Sequence, residues 1–451
     1  MQLPILPAGV KSIAEDPPTL QALYLLFGVL LAILPLAHVT ALRNSLIGLI
    51  ALLALLQIRR VSWKNIPGLI PWIVWLAFAA ASIAWSALPD ASFQSFRSDQ
   101  FYPFIIFMVS FLIVCYFDGR LAVATGTAAG TLLCLAAMFA AAALNADPDA
   151  IAPEPGVMGW FAWKAGNTTD ASTYVAFVAV PLFLILLTSR HAWRRWGAAI
   201  WLLLFATIGF LSESRTLVAT LFVSFVGFLI ALGVLRGRLH WKSVLVAIGI
   251  GVAVSAASLE TISRSRMPAS ASSGRSAAVE MIMADPRPAM WAVYLELARK
   301  HPWLGVGLGR TVPSRAYRLH DDADLKRIDL QAPTHAHNVL LDLVLQVGLI
   351  GLAVWLWFHV EVLRLAWQRA RNAGDREKAW AAAAIALALA MLVKNSTNDL
   401  IVYGNAILFW ALMGTMLGLI WAGARPASET MLRREPARGT RDEGTDPVFR
   451  A

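Results

Sequence analysis

The sequence predicts an all-α, polytopic integral membrane protein with about 12 transmembrane helices and one long, partly helical polar loop. Of its 451 residues, 58% are hydrophobic and only 15% are charged, whereas a soluble domain carries roughly 25% charged residues. The apolar residues also fall in runs long enough to cross a bilayer as helices, which satisfy their own backbone hydrogen bonds in lipid. One polar segment, residues 260–336, is far longer than the other segments that separate these runs.

Twelve apolar runs are the candidate transmembrane helices, since a helix needs about 20 apolar residues to cross the hydrocarbon core. They divide the chain into nine spans within residues 1–259, the long loop 260–336, three spans within 337–423 and a tail, 424–451. The tail is basic and lacks apolar periodicity, which predicts disorder. The spans are predicted at residues 20–39, 42–56, 66–85, 101–117, 121–144, 171–187, 196–211, 217–235, 244–259, 338–358, 379–393 and 405–421.

Lysine and arginine are concentrated in alternate connecting segments, such as residues 59–64, 190–195, 236–242 and 364–378. Cytoplasmic loops carry the excess of positive charge, so these segments and both termini are predicted to be cytoplasmic. The long loop then lies on the periplasmic face of a bacterial inner membrane. Much of the net charge of +10 is thereby explained as anchoring beside anionic lipid headgroups, and no nucleic-acid partner is needed.

The long loop carries the features that suggest chemistry. Apolar residues recur at helical spacing over Pro288–Lys300, which predicts a short amphipathic helix. Gly305, Gly307 and Gly309 follow, and we expect them to end that helix. Basic residues outnumber acidic ones between residues 260 and 320, which suits an anionic ligand such as a phosphate, although an ordinary solvated loop has the same composition.

Three residues are the strongest candidates for a site. Arg215 lies at the predicted periplasmic mouth of two spans, where an arginine is costly unless it faces a cavity or pairs, for example with Glu213. Arg287 precedes the loop helix but is one of several loop cations. His337 opens the next span, and histidine acts as a general base near neutral pH or serves as a hydrogen-bonded interfacial residue.

A metal site is the weaker interpretation of the histidines. His335 and His337 form an H-x-H pair, and His320, Asp321 and Asp322 precede them in the same loop. This spacing is not specific for a metal, so we expect neither a metal nor another cofactor. The two cysteines, Cys115 and Cys134, fall inside apolar runs and indicate neither a disulfide framework nor a metal site.

Several short motifs occur together in an informative order. The loop contains R-x-x-x-W at residues 287–291 and h-P-x-x-G-x-G at residues 301–307, where His301 stands at the first position. H-N-x-x-L follows at residues 337–341, then G-L-x-G-L at 348–352, and S-x-S-R precedes all of them at 212–215. Over roughly residues 160–400, this order and sidedness resemble the O-antigen ligase and polymerase superfamily.

The resemblance implies an activity and assigns roles to residues. Members take a glycan from undecaprenyl diphosphate at the periplasmic face and join it to an acceptor. By the motifs, Arg215 and Arg287 would bind the diphosphate, His337 would be the catalytic histidine, Asn338 would support it, and His335 would be a substrate contact or a supporting residue. The reaction would be a metal-independent, inverting displacement.

Within that family, the single dominant loop is typical of a ligase, whose acceptor is a sugar of the lipid A-core. A polymerase more often has a second large periplasmic loop, and the other candidate here, residues 145–167, is short. A protein O-oligosaccharyltransferase and, outside the family, a transporter of an anionic lipid or solute remain as alternatives. Lys164, Arg97 and Lys394 line the expected cavity or anchor the chain at the interface.

Overall fold

The protein is helical throughout the parts of the chain that are described. A computed structural model describes residues 16–36, 39–60, 66–144, 168–211, 214–239, 285–319, 323–328, 334–396 and 402–423, and most of 241–253. Within these ranges there is no β-strand. The α-helices, numbered here in chain order, are α1 Pro18–Ile33, α2 Thr40–Leu56, α3 Leu69–Ala81, α4 Pro89–Ser95, α5 Tyr102–Cys115, α6 Arg120–Leu144, α7 Thr168–Thr188, α8 Ala192–Leu211, α9 Arg215–Leu235, α10 Arg287–Lys300, α11 Val312–Ala316, α12 Ala323–Ile328, α13 Val339–Arg371, α14 Asp375–Asn395 and α15 Tyr403–Gly423.

Six helical stretches in the described residues are long and apolar enough to cross a membrane. The shorter apolar helices include α1 and α2, with 16 and 17 residues, against the roughly 20 that a span needs. The all-helical, multi-span class is confirmed, and the number of twelve spans stays a prediction. The six stretches are Pro89–Cys115, Arg120–Ala141, Asp170–Thr188, Thr216–Leu235, Val339–Arg371 and Tyr403–Gly423.

Two spans have different limits from those predicted. The helical stretch before α5 begins at Pro89, not at Phe101, and continues through a π-helical turn at Phe96–Phe101. Proline at the first helical position favours this start, while the polar residues after it hid the helix from a hydropathy reading. Helix α13 continues to Arg371, beyond the predicted end at Phe358, because a helix can project past the apolar layer.

Close helix contacts hold the bundle together. Helix α14 buries a run of alanines, residues 381–384, and packs against α9. Helix α15 packs against α5, where a Cβ on Gly414 would lie 2.2 Å from the Ser110 Oγ. Small residues stabilise helix pairs in lipid because they let the backbones approach closely. An aromatic cluster that includes Trp72, Phe358 and Trp410 fills the space between α3, α13 and α15.

The amphipathic loop helix is present as α10, and it buries Met290, Tyr294, Leu297 and Ala298. The helix ends at Lys300, because Pro302 follows closely and disfavours helical backbone at the residue before it. The expectation that the glycines of residues 305–309 end the helix is therefore wrong.

Those glycines instead belong to a strap, residues 302–310, that crosses the broken helix α13. The backbone N–H groups of Val306 and Gly307 donate to the carbonyl oxygens of Leu345 and Gln346 at 3.0 and 2.8 Å. Helix α13 is interrupted there, because Gly348 has φ 69° and ψ −175°. The break exposes backbone groups of α13 that the strap satisfies, which fixes the strap beside the first turns of α13.

Candidate functional site

The predicted site residues converge at one end of the helix bundle. Helices α7, α9, α13 and α15 begin there, and helix α14 ends there. Side chains and backbone groups of these helix ends contact one another, as described below. Residues far apart in the sequence, at positions 170, 215, 287, 337 and 394, thus lie at one end of the fold.

The segment His335–Asn338 is held in an unusual conformation. His337 has a left-handed backbone with φ 49°, a strained conformation for a residue other than glycine. Its neighbour Ala336 is fixed on both sides, since its N–H donates to Oδ1 of Asp342 at 2.9 Å and its carbonyl oxygen accepts from Nε1 of Trp291 at 2.9 Å. The half-buried His337 ring is thereby presented from a rigid segment.

His335 is the buried member of the histidine pair. Its ring centroid lies 3.8 Å from that of His337, and the Arg310 guanidinium contacts its Nε2. Burial, then the positive charge of Arg310, then His337 lower the pKa of His335 to about 2. A buried ring beside a guanidinium is a poor proton acceptor, so His337 is the better candidate for a general base.

Asn338 connects two helix ends. Its Oδ1 accepts from the N–H groups of Leu340 and Leu341 at 3.0 and 3.1 Å, which makes it the N-cap of α13. Its Nδ2 donates to the carbonyl oxygen of Ser396, just after α14, at 3.0 Å. Asn338 therefore fixes the position of the histidine segment relative to α14. The role in supporting the catalytic histidine that the motif implies stays a prediction.

Arg287 begins helix α10 and forms an ion pair with Asp285. The guanidinium Nη1 lies 3.1 Å from the Asp285 Oδ2, and the Arg287 side chain is 33% exposed. Its charge also acts on the ammonium of Lys394. The planar guanidinium carries five N–H donors, so this pair leaves it able to bind an anion as well. Arg287 lies one helical turn before Trp291, which contacts the histidine segment.

Arg215 is the first residue of helix α9, directly after Ser214. Its neighbours Ser214 and Thr216 both accept hydrogen bonds from Lys394, at 3.5 and 2.9 Å. Backbone position alone thus places Arg215 beside α14, at the same end of the bundle as His337. Lys394 itself is 1% exposed, which contradicts the interfacial-anchor alternative, and the cavity-lining alternative stays a prediction.

Arg310 is a site residue that the sequence did not single out. It closes the G-x-G-R run of the strap, contacts His335, and acts electrostatically on Asp170 and Tyr403. The strap is fixed next to Arg310 because the Gly309 N–H donates to Oε1 of Gln346 at 2.9 Å. The only hint in the sequence was an arginine directly after the paired glycines of the motif.

Arg310 contributes to the wall of a small cavity of about 40 Å³ that has both polar and apolar lining residues. Asp99, Gln100 and Gln346 contribute to its wall, and Asp99 also accepts a hydrogen bond from the N–H of Tyr403 at 3.3 Å. Nearby, Nδ2 of Asn405 lies 3.4 Å from an oxygen of Asp170. Each of these carboxylates holds the first turn of a helix in place.

The other sequence predictions divide into two groups. Arg97 is exposed on the π-helical turn and contributes no contact to the histidine segment among the described residues. Lys164, Glu213, His320, Asp321 and Asp322 lie outside the described residues. Within the described ranges, no group of three or more His, Cys, Asp or Glu side chains is arranged to hold a metal ion.

Comparison with known proteins agrees with these motifs. Residues 198–356 match the family model described as O-antigen ligase, Wzy_C. The matched segment contains Arg215, Arg287, Arg310 and the histidine segment, whereas Lys394 lies beyond it. No curated protein matches the chain at a significant level.

Proposed function

The chain belongs to the O-antigen ligase and polymerase superfamily, and on this premise we propose that it is an O-antigen ligase. It is a multi-pass membrane protein of a glycosyltransferase-like enzyme family. The proposed reaction transfers O-antigen polysaccharide from undecaprenyl diphosphate to a sugar of the lipid A-core. We place this reaction at the periplasmic face of the bacterial inner membrane.

One observation carries the proposal: the strained His337 segment lies at the helix ends where Arg287 and the backbone of Arg215 also lie. A base and two guanidinium groups suit a glycosyl transfer from a diphosphate, because the base takes the acceptor proton and the guanidinium groups stabilise the leaving group. Surrounding contacts hold the left-handed backbone of His337 although it costs about 1–3 kcal/mol. Such strain is retained where a side chain must be presented in one direction.

The proposed step is a single displacement. The acceptor hydroxyl oxygen attacks the anomeric carbon of the donor sugar and forms the new glycosidic bond. The bond between that carbon and the diphosphate oxygen breaks, and undecaprenyl diphosphate leaves with the electron pair. His337 takes the proton of the hydroxyl group. Attack from the side opposite the leaving group inverts the anomeric centre.

The two arginines are assigned to the leaving group. Arg215 and Arg287 offer bidentate N–H donors to the diphosphate, and these contacts strengthen as negative charge develops on the breaking bond. Arginine keeps its charge beside lipid because the guanidinium is delocalised and more weakly hydrated than an ammonium group. For Arg287, the diphosphate shares the guanidinium with Asp285 or replaces it, since the ion pair is partly open to solvent.

The choice of a lipid A-core acceptor rests on the loop pattern. The chain has one long polar segment, residues 260–336, and the segment at 145–167 is short. Two large periplasmic loops are more typical of a polymerase. Polymerase and protein-transfer activities are therefore outcomes that the experiment must separate from ligation.

The test is complementation of a ligase-null strain, read as lipopolysaccharide banding on a gel. Wild type is compared with His337→Ala, Arg287→Ala and Arg215→Ala at equal membrane abundance. Matched controls come from the same loop: Arg299→Ala, on the exposed end of α10, and His301→Ala, an exposed histidine at the end of that helix.

We expect wild type and both controls to restore the O-antigen ladder, and each of the three site variants to abolish it. A ladder restored by His337→Ala would refute the base assignment. If wild type gives no ladder while lipid-linked polymer lengthens or a periplasmic protein becomes glycosylated, the acceptor assignment is wrong.

A further inference from the structure

Lys394 is a buried cation that the proposed reaction does not use. It lies in the last turn of α14 with 1% of its surface exposed. A fully buried lysine is rare because the charged form loses its hydration. In the apolar setting of a helix bundle, such a residue is retained where it has a specific task.

The ammonium group is saturated by hydroxyl groups of two other helices. Its Nζ donates to Ser172 Oγ on α7 at 2.8 Å, to Thr216 Oγ1 on α9 at 2.9 Å, and to Ser214 Oγ at 3.5 Å. An ammonium has three N–H groups, and these three acceptors match them in number. Lys394 therefore joins α14 to the first turns of α7 and α9.

Two of those three hydroxyls flank Arg215. Ser214 is the N-cap of α9, yet its side chain makes no capping hydrogen bond to the helix backbone. Serine at this position usually accepts from a backbone N–H of the first turn. Here the Ser214 hydroxyl accepts from Lys394 instead, so this lysine contacts the start of the helix that carries Arg215.

Nearby helix dipoles and charges both favour and disfavour a positive charge at Lys394. A cation in the last turn of α14 is favoured by that helix dipole, but Lys394 also lies against the first turns of α7 and α9, where a cation is disfavoured. The charge of Arg287 opposes it further, and Asp170 attracts it. Stability alone is therefore a weak reason for a lysine here.

Building on the proposed function, we propose that Lys394 is the positioning residue for Arg215. Its ammonium holds Ser214 and Thr216, one on each side of Arg215, and thereby fixes the backbone of the residue that we assign to the diphosphate. Lys394 does not bind the diphosphate itself, because it is buried beneath the helix starts. Its effect on the substrate passes through Arg215.

The test measures binding of inorganic diphosphate to the purified, full-length protein in detergent by isothermal titration calorimetry. We expect Lys394→Met to weaken binding by at least about tenfold, close to the effect of Arg215→Ala, since a tenfold change in affinity is the scale of one charged hydrogen bond. The double variant should bind no more than about threefold weaker than either single variant, because both changes remove the same contact.

A second pair of variants tests the hydroxyl directly and does not depend on burying a methionine. Thr216→Ser keeps the acceptor for Lys394, and we expect it to bind diphosphate like wild type. Thr216→Val removes the hydroxyl at nearly the same size, and we expect it to resemble Lys394→Met. Thermal unfolding of each variant shows that the protein is folded.

Three results would overturn the inference. Losses that multiply in the Lys394→Met and Arg215→Ala double variant would show that the lysine acts independently of Arg215. Unchanged binding in Lys394→Met, or equal binding in the two Thr216 variants, would remove the lysine from the site. If Arg215→Ala binds diphosphate like wild type, the diphosphate site of the proposed function is wrong as well. If Arg215→Ala weakens diphosphate binding and the Lys394 and Thr216 variants do not, the proposed function stands and this inference is wrong.

Discussion

Gly348 is the position at which one methyl group should do the most damage. Its backbone, with φ 69° and ψ −175°, interrupts helix α13, and this combination is open almost only to glycine. A Cβ at this position would also lie 2.1 Å from the carbonyl oxygen of Trp303 and 2.4 Å from the N of Leu304. Gly348→Ala therefore strains the helix break and pushes the strap away from α13.

The size of the effect follows from these two contributions. A side chain in this backbone region costs about 1–3 kcal/mol, and a methyl forced into backbone atoms adds about 1–3 kcal/mol. Together they predict a loss of about 2–6 kcal/mol from a total unfolding free energy of about 5–15 kcal/mol. Activity should fall further, because the strap that moves carries Arg310 and contacts His335.

The assay is unfolding of the purified protein in detergent, followed by thermal or denaturant scans, with ligation measured in parallel. Gly48→Ala is the matched control, since nothing lies within 4 Å of a Cβ there and the residue is inside helix α2. We expect that variant to be neutral or slightly stabilised. If Gly348→Ala unfolds at the same temperature as wild type and Gly48→Ala, the helix break is not required and the argument is wrong.

Three further predictions concern the histidine segment. His335→Gln should lose less stability than wild type between pH 7 and pH 5. The pKa of His335 is about 2 in the folded protein and about 6.5 in the unfolded chain, so in this range only the unfolded chain takes the proton, and the unfolding free energy of wild type falls by up to about 1.4 kcal/mol per pH unit. Equal acid sensitivity of the two proteins in thermal scans would argue against a buried neutral ring. Asn338→Ala should lower stability by about 1 kcal/mol as the helix cap is lost, whereas Asn338→Asp keeps the cap and loses only the bond to Ser396; unfolding scans should rank them in that order. Asp342→Leu removes the acceptor for the Ala336 N–H and should abolish ligation in a protein that still folds. Asp342→Asn keeps an oxygen acceptor and should retain most of the activity, so equal ligation by the two variants would contradict the role of that bond.

Much of the fold was accessible from the sequence because lipid imposes simple rules. Apolar runs predicted the six helical stretches that can cross a membrane, and helical spacing predicted α10 close to its observed limits, Arg287–Lys300. The break at Gly348 was not accessible, since the motif marks a glycine without saying that the strap crosses there. The strap depends on hydrogen bonds between residues about 40 positions apart, and no local pattern encodes such a pairing.

The candidate site was predicted in part. His337 and Asn338 were found because they stand at the start of a span, where the motif and the helix cap coincide. Arg310 was missed and the role of Lys394 was left open, because the surroundings of both residues are set by tertiary contacts. A lysine at the end of an apolar run looks like an interfacial anchor in sequence, and only the positions of α7 and α9 show that it is enclosed.

The carboxylates at this end of the bundle favour a histidine rather than an acid as the general base. Asp285 pairs with Arg287, Asp342 accepts from a backbone N–H, and Asp99 and Asp170 contact the first turn of α15. A carboxylate whose oxygens already accept hydrogen bonds has fewer lone pairs free to take a proton from an acceptor hydroxyl. His335 is kept neutral by burial and Arg310. Among the described residues of the histidine segment, His337 is thus the side chain that we propose takes the proton, and the bond from the Ala336 N–H to Asp342 helps to hold its backbone in the strained conformation.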